Sequence, residues 1–162
     1  MDRSDLLDRV LALLSTQNIA FCLIGGQAVN AYVEPVVSLD LDIAIAAPDA
    51  ERLERALAPP LHIERFVHSL NVSGPESDLR VQFQLDPRYA PFIGRAASRS
   101  VLGIDLPVAR VEDVLQGKVW AASDTTRRPS KRQKDLADIS RLVEGFPHLR
   151  EQVPGALLDR LL

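Results

Sequence analysis

The sequence predicts an α/β (α+β) domain, a mixed β-sheet flanked by helices with a helical C-terminal part. Three observations point there. Short apolar or alternating runs of strand length lie between residues 21 and 108. Helical periodicity occupies both ends of the chain, and strands and helices interleave instead of falling into separate halves. With 162 residues the chain suits one domain, its core at about 19–110 and its C-terminal helices at about 111–162.

Each element follows from local pattern. Leu6, Leu7, Val10, Leu11 and Leu14 recur at helical spacing behind Ser4, a suitable N-cap, and residues 15–18 close that helix. Phe21-Cys22-Leu23-Ile24 is a buried strand stopped by Gly25-Gly26. A helix over 27–32 follows and is interrupted at Glu34-Pro35, because proline cannot donate to the helical ladder. Residues 39–46 (LDLDIAIA) alternate, so Leu41, Ile43 and Ile45 share one strand face and Asp40, Asp42 and Ala44 the other. Pro48-Asp49 starts a helix to about Leu57, ended by Pro59-Pro60. Residues 62–66 and 70–72 are weaker strands, and 79–85 is a better one, with Val81, Phe83 and Leu85 on one side. Residues 100–108 read as a tight hairpin about Gly103. Helices then span 111–122, with Glu112 and Asp113 favouring its positive end, and 131–144, with a polar loop over 125–130 between them. A short closing helix interrupted at Pro154-Gly155 completes the chain.

Composition excludes several function classes. Nineteen basic against 22 acidic residues leave a net charge of -3, which argues against a protein that coats DNA. The single cysteine, Cys22, rules out a disulfide framework and reads as a small core residue. No run approaches the ~18 apolar residues of a membrane span. Asp2, Asp5 and Asp8 spoil any signal-peptide reading, so the expected setting is cytoplasmic.

The informative constellation is Gly25-Gly26 followed by Asp40-Leu41-Asp42. Two aspartates at i and i+2 on a strand point the same way and repel unless a cation lies between them, so they mark either a metal site or a solvated edge. Hard oxygen ligands favour Mg²⁺ or Mn²⁺. A Gly-Gly step before a helix lets backbone N–H groups approach an anion. Together they would set triphosphate oxygens beside a divalent ion, as phosphoryl and nucleotidyl transfer require.

These residues, LIGG followed 13 residues later by DLDIAI, resemble the signature of the nucleotidyltransferase superfamily with the DNA polymerase beta-like fold. The stretches LPVARVEDVLQGKVWAA and KRQKDLADISRLVE are similar to the AbiEii-type nucleotidyltransferases of abortive-infection and toxin–antitoxin systems, and to minimal nucleotidyltransferases. The resemblance spans roughly residues 21–144. It implies that Gly25 and Gly26, with the adjoining Gln27, bind the NTP, and that Asp40 and Asp42 hold the metal. It further implies that Lys118 faces the phosphates, while Lys134, Asp135 and Asp138 line or brace the pocket. Without the resemblance, Lys118 is a surface lysine, and Lys134 with Asp138 an exposed i,i+4 pair worth ~0.5 kcal/mol.

One departure bears on activity. Active members carry a third carboxylate on a later strand, where this chain has LRVQFQLDP, with Gln82 at the expected place. Glutamine supplies neither charge nor base. Asp78, Arg80, Gln82, Gln84 and Asp86 share a face of a regular strand, so Asp86 could serve from its end. Arg127 to Lys134 holds five basic residues in eight, either a solvated loop or an attraction for a triphosphate or RNA backbone. Trp120 reads as core, and His62, His68 and His148 lack metal-ligand spacing. The reading is a Mg²⁺-dependent nucleotidyltransferase moving an NMP from an NTP to an RNA end or protein hydroxyl, with a cognate toxin or antitoxin as partner. The alternative is a degenerate nucleotide- or partner-binding module of the same fold.

Overall fold

In a computed structural model, which describes residues 3–161 except 58, 60 and 76, Leu6, Leu7, Val10 and Leu14 bury one stripe of helix α1 (Arg3–Thr16). The helix starts ahead of Ser4, whose side chain lies outside the described residues, as does Pro60. Asn18 closes α1 in the left-handed region (φ 53), with Ile19 N–H donating to Leu14 O (2.9 Å) and Asn18 N–H to Ser15 O (3.1 Å). That is a Schellman stop with asparagine in glycine's usual place.

Strand β1 (Phe21–Ile24) runs directly into helix α2 (Gly25–Asn30), so the glycines open the helix instead of preceding it. Strand β2 (Asp40–Ile45) returns antiparallel to β1, with Ile24 opposite Asp42. A 3₁₀ turn (Ala47–Asp49) and helix α3 (Ala50–Ala56) lead to β3 (His62–Arg65), β4 (Ser69–Ser73) and β5 (Arg80–Gln84). A 3₁₀ turn (Pro87–Tyr89) and helix α4 (Ala90–Arg95) precede the hairpin β6 (Ala97–Val101) and β7 (Ile104–Val108). Leu102 and Gly103 both have positive φ (54° and 77°), the backbone of a two-residue turn matched to strand twist.

The seven strands form one mixed sheet in the order β3-β4-β5-β2-β1-β7-β6. Pairs β2/β5 and β1/β7 are parallel and the rest antiparallel. Leu41, Ile43 and Ile45 are buried on one face of β2 and Ala44 on the other, so both faces of the central strand are covered. Helix α5 (Val111–Ser123) packs on α6 (Pro129–Gly145), and both touch α2. Helix α6 takes up Pro129 and Ser130, which sequence pattern assigned to the loop, because proline's fixed φ suits the first helical position. A 3₁₀ segment (Pro147–Gln152) and helix α7 (Gly155–Leu158) end the chain, with Leu149, Val153 and Leu157 in the core. Among the described residues no helix is long and apolar enough to cross a membrane.

Candidate active site

The site forms where the ends of β1 and β2 meet α5. Gly25 has φ +71°, open to glycine at no steric cost. A Cβ there would lie 3.0 Å from both Cβ and Cγ of Asp42 and would strike its carboxylate, so the missing side chain is what lets Asp42 sit against the β1–α2 junction. Parallel pairing of β2 with β5 sets Arg80 opposite Asp40 and Gln82 opposite Asp42. The strand face therefore carries a carboxylate pair on β2 and a cation and an amide on β5.

A cavity of 90 Å³ is lined by Gly25, Asp42, Gln82, Lys118, Arg127 and Asp135, with Tyr89, Asp113 and Gly117 among the other walls. Burial, opposed by Lys118 and reinforced by Asp40, pushes the Asp42 carboxyl up to about 6. Lys118 Nζ is 2.9 Å from Asp138 Oδ2 and 3.3 Å from Asp135 Oδ1. Burial disfavours the charge of Lys118, but Asp138 and Asp135 outweigh it and hold its pKa above the ordinary lysine value. Lys118 is thus a buried, permanently charged group at the pocket and not a surface lysine. Asp135 also accepts from Arg127 Nε at 2.7 Å, and Asp138 from Arg141 Nη1 at 2.8 Å. Burial pushes Tyr89 up to about 12, leaving a neutral phenol in the wall.

The remaining sequence-predicted residues divide. Gly26 lies near Asp138, whose Oδ2 would be 4.0 Å from a Cβ built there. Gln27 is turned inward: Nε2 donates to Ser38 O (3.0 Å) and Oε1 accepts from Asn30 (3.3 Å), so it pins the loop that delivers Asp40. Arg141 ties the same loop to α6 by donating to Asn30 Oδ1 (3.0 Å) and to Glu34 O. Lys134 is exposed and stands apart from this group, and its expected pairing with Asp138 is replaced by Lys118 and Arg141. Asp86 does not reach the pocket: it caps the following 3₁₀ turn through Arg88 N–H (3.0 Å) and holds the Arg88 guanidinium. Trp120 stacks on Phe92 with 4° between the rings, partly buried as expected.

Sequence pattern missed Tyr89 and Arg80, and took Asp113 and Arg127 for other roles. Positions 113, 117 and 121 recur every four residues on the helix of Lys118, a spacing that puts them on one face. Alternation puts Arg80 on the Gln82 face, but only strand register sets it opposite Asp40, and Tyr89 carries no such signal.

Two carboxylates alone do not make a closed metal cage, and among the described residues no three His, Cys, Asp or Glu side chains gather as one. Asp113 is held by Arg95 (2.8 and 3.0 Å), and Asp135 by Lys118 and Arg127, so neither supplies the third acid. The residues nevertheless fit one hard cation. Mg²⁺ is commonly bound by one or two carboxylates plus substrate phosphates, and Asp40 and Asp42 are the carboxylates that would hold it. Asn71, opposite Gln82 on β4, has a buried Oδ1 with no hydrogen-bond partner, a further neutral oxygen in the row Asp42–Gln82–Asn71.

A seven-stranded mixed sheet of this order flanked by helices matches nucleotidyltransferase-like folds. No family model matches the chain, and no curated protein matches it in sequence. Solved structures do match. The antibiotic-resistance factor ANT(2'')-Ia in solution has TM-score 0.60 at 16% identity, covering 99% of this chain and 97% of that one. Its crystal structure in complex with adenylyl-2''-tobramycin has TM-score 0.60 at 16% identity, covering 96% and 97%. The lincomycin-bound lincosamide adenylyltransferase LnuA has TM-score 0.51 at 11% identity, covering 84% and 95%. An antigenic nucleotidyltransferase-like protein from Paracoccidioides brasiliensis has TM-score 0.53 at 15% identity, covering 83% and 73%. At such identities the likeness establishes the fold; the chemistry has to be argued from the site.

Proposed function

We propose that this chain transfers a nucleoside monophosphate from an NTP to an acceptor hydroxyl, with Mg²⁺ or Mn²⁺ held by Asp40 and Asp42. The observation that supports it is the desolvated Asp42 carboxylate, seated against a glycine that only a missing side chain accommodates and sharing its pocket with Lys118. Burying a carboxylate is costly unless a partner offsets it, so a site that keeps one is shaped for a cation. Gly25 and Gly26 leave backbone N–H groups open to the triphosphate, and Lys118 supplies a fixed positive charge beside it. The acceptor oxygen attacks the α-phosphorus in line; the bond to the bridging β-oxygen breaks and pyrophosphate leaves. Gln82 can hold the acceptor hydroxyl but cannot take its proton, which therefore passes to solvent. When bound, the cation would polarise the phosphates and offset the charge on the leaving group.

The acceptor is an RNA end or a protein hydroxyl, attracted by the exposed Arg128, Lys131 and Lys134. The AbiEii resemblance supports a toxin–antitoxin or abortive-infection setting, with a cognate partner. A cavity of 610 Å³ lined by His68, Asp86, Arg88, Trp120 and Asp124 adjoins the pocket through Gln84, Tyr89, Ala121 and Arg127. Its size is that of small-ligand sites, and a structural neighbour holds adenylyl-2''-tobramycin, so a small hydroxylated acceptor is a second arm of the test. The competing reading is a nucleotide-binding module without turnover, favoured by Gln82 in the place of the third acid.

The test is incubation with each α-³²P-labelled NTP and Mg²⁺, offering total RNA, total protein or tobramycin. Labelling of one arm, abolished by Asp40→Ala with Asp42→Ala, supports transfer. Equal labelling by the double variant overturns it, and nucleotide binding with no label in any arm supports the binding module.

A further inference from the structure

Arg80 takes no part in the chemistry just described, yet its Nε lies 2.9 Å from Asp40 Oδ1. The register that pairs Asp42 with Gln82 pairs Asp40 with Arg80, so the contact is built into the sheet. It differs from the other ion pairs of the site in leaving both partners exposed, since the acids Asp113, Asp135 and Asp138 are all largely buried. Lys118 has 12% of its side chain exposed and Arg141 22%, whereas Arg80 has 69% and its partner Asp40 48%. An exposed pair in high dielectric is weak and readily exchanged; the buried pairs are not.

Charge balance gives the exchange a direction. Asp40 is paired by Arg80, and Asp135 and Asp138 by Lys118, Arg127 and Arg141, while Asp113 is held by Arg95 and Arg110. A divalent ion added alone meets carboxylates that already have cations beside them and must compete with Arg80 for Asp40. A triphosphate changes both terms, because it brings more negative charge than a single carboxylate and offers the guanidinium fork several oxygens that it can pair bidentately.

We propose that Arg80 is a displaceable counter-ion that occupies Asp40 in the empty site and moves to the phosphates when nucleotide arrives, coupling cation binding to nucleotide binding. The inference rests on the nucleotide-transfer reading. Such coupling is reciprocal: nucleotide tightens the cation by the same factor as the cation tightens nucleotide.

The experiment measures Mn²⁺ binding by electron paramagnetic resonance, and α,β-methylene-NTP binding (the four analogues in turn) by calorimetry with and without Mn²⁺. Wild type, Arg80→Ala, Arg80→Lys and the double variant Asp40→Asn with Asp42→Asn are compared. Arg80→Ala is expected to bind Mn²⁺ alone about 3- to 10-fold more tightly than wild type, while the enhancement of nucleotide binding by Mn²⁺ falls by a similar factor. Arg80→Lys keeps the competition and stays near wild type for Mn²⁺ alone. Unchanged or weaker Mn²⁺ binding by Arg80→Ala, in a protein whose wild type binds both ligands, overturns this inference alone. A wild type that binds neither ligand, or a double aspartate variant that binds as wild type does, overturns the transfer reading and this inference with it.

Discussion

At Asp42 the proposed function is set against stability in one side chain. Burial removes water from its carboxyl and pushes it up to about 6, whereas in the unfolded chain it titrates at an ordinary aspartate's 3.8. The native state therefore binds the proton more tightly, and this group's contribution to stability is present below pH 4 and lost as pH rises through 6. Asp42→Asn is expected to be more stable than wild type at pH 8 without metal, by about 1–3 kcal/mol. That advantage should shrink to nothing below pH 4, read by urea denaturation across pH, with the labelling that the proposed transfer predicts lost throughout. A variant no more stable at pH 8 would show that the carboxylate is better solvated than its packing against Gly25 implies. At the neighbouring strand, Gln82→Asp puts a third carboxylate directly across from Asp42. Mn²⁺ titration in the presence of a methylene-NTP should then count two ions per chain against one in wild type; one ion in both would remove Gln82 as the limiting residue.

At the scale of elements, the site depends on how α5 is clamped to α6. Lys118 projects from α5 between Asp135 and Asp138 of α6, while Arg127, in the connecting loop, grips Asp135 from the other side. Gly117 lets α5 approach Tyr89, whose Cε1 would be 3.2 Å from a Cβ there. Removing Lys118 leaves two partly paired carboxylates away from water, so Lys118→Met should destabilise the fold by about 3 kcal/mol, measured by urea unfolding at pH 7. A loss under about 1 kcal/mol would mean that Arg127 and Arg141 alone satisfy the pair of acids.

For the whole molecule, the net charge of -3 conceals a segregation. Residues 118–135 hold six bases and two acids, net +4, which leaves -7 for the rest. Within that segment the roles split: Lys118 and Arg127 turn into the pocket, while Arg128, Lys131 and Lys134 face solvent. Reversing these three exposed charges together should leave the melting temperature within 3 °C of wild type and reduce labelling of an RNA acceptor at least tenfold, with the loss easing at low salt. Undiminished labelling would assign acceptor recognition to the adjoining cavity instead.

Alternation and helical periodicity determined by themselves where β1, β2, β5, α5 and α6 lie, since burying one face of each is a local property of spacing. They also put Asp40 and Asp42 on one strand face, whereas Gln82 stood out only through the family resemblance, which implies an acid there. Helix starts moved by two residues where Gly25 and Pro129 entered helices, because capping depends on neighbours that spacing does not encode. Only the tertiary structure decided which charges meet. Lys118 reaches acids 17 and 20 positions away, Arg80 sits on Asp40 through strand register, and Asp86 is spent on its own turn. Ion pairing across elements depends on distances that chain order leaves open until the sheet and the two helices have packed.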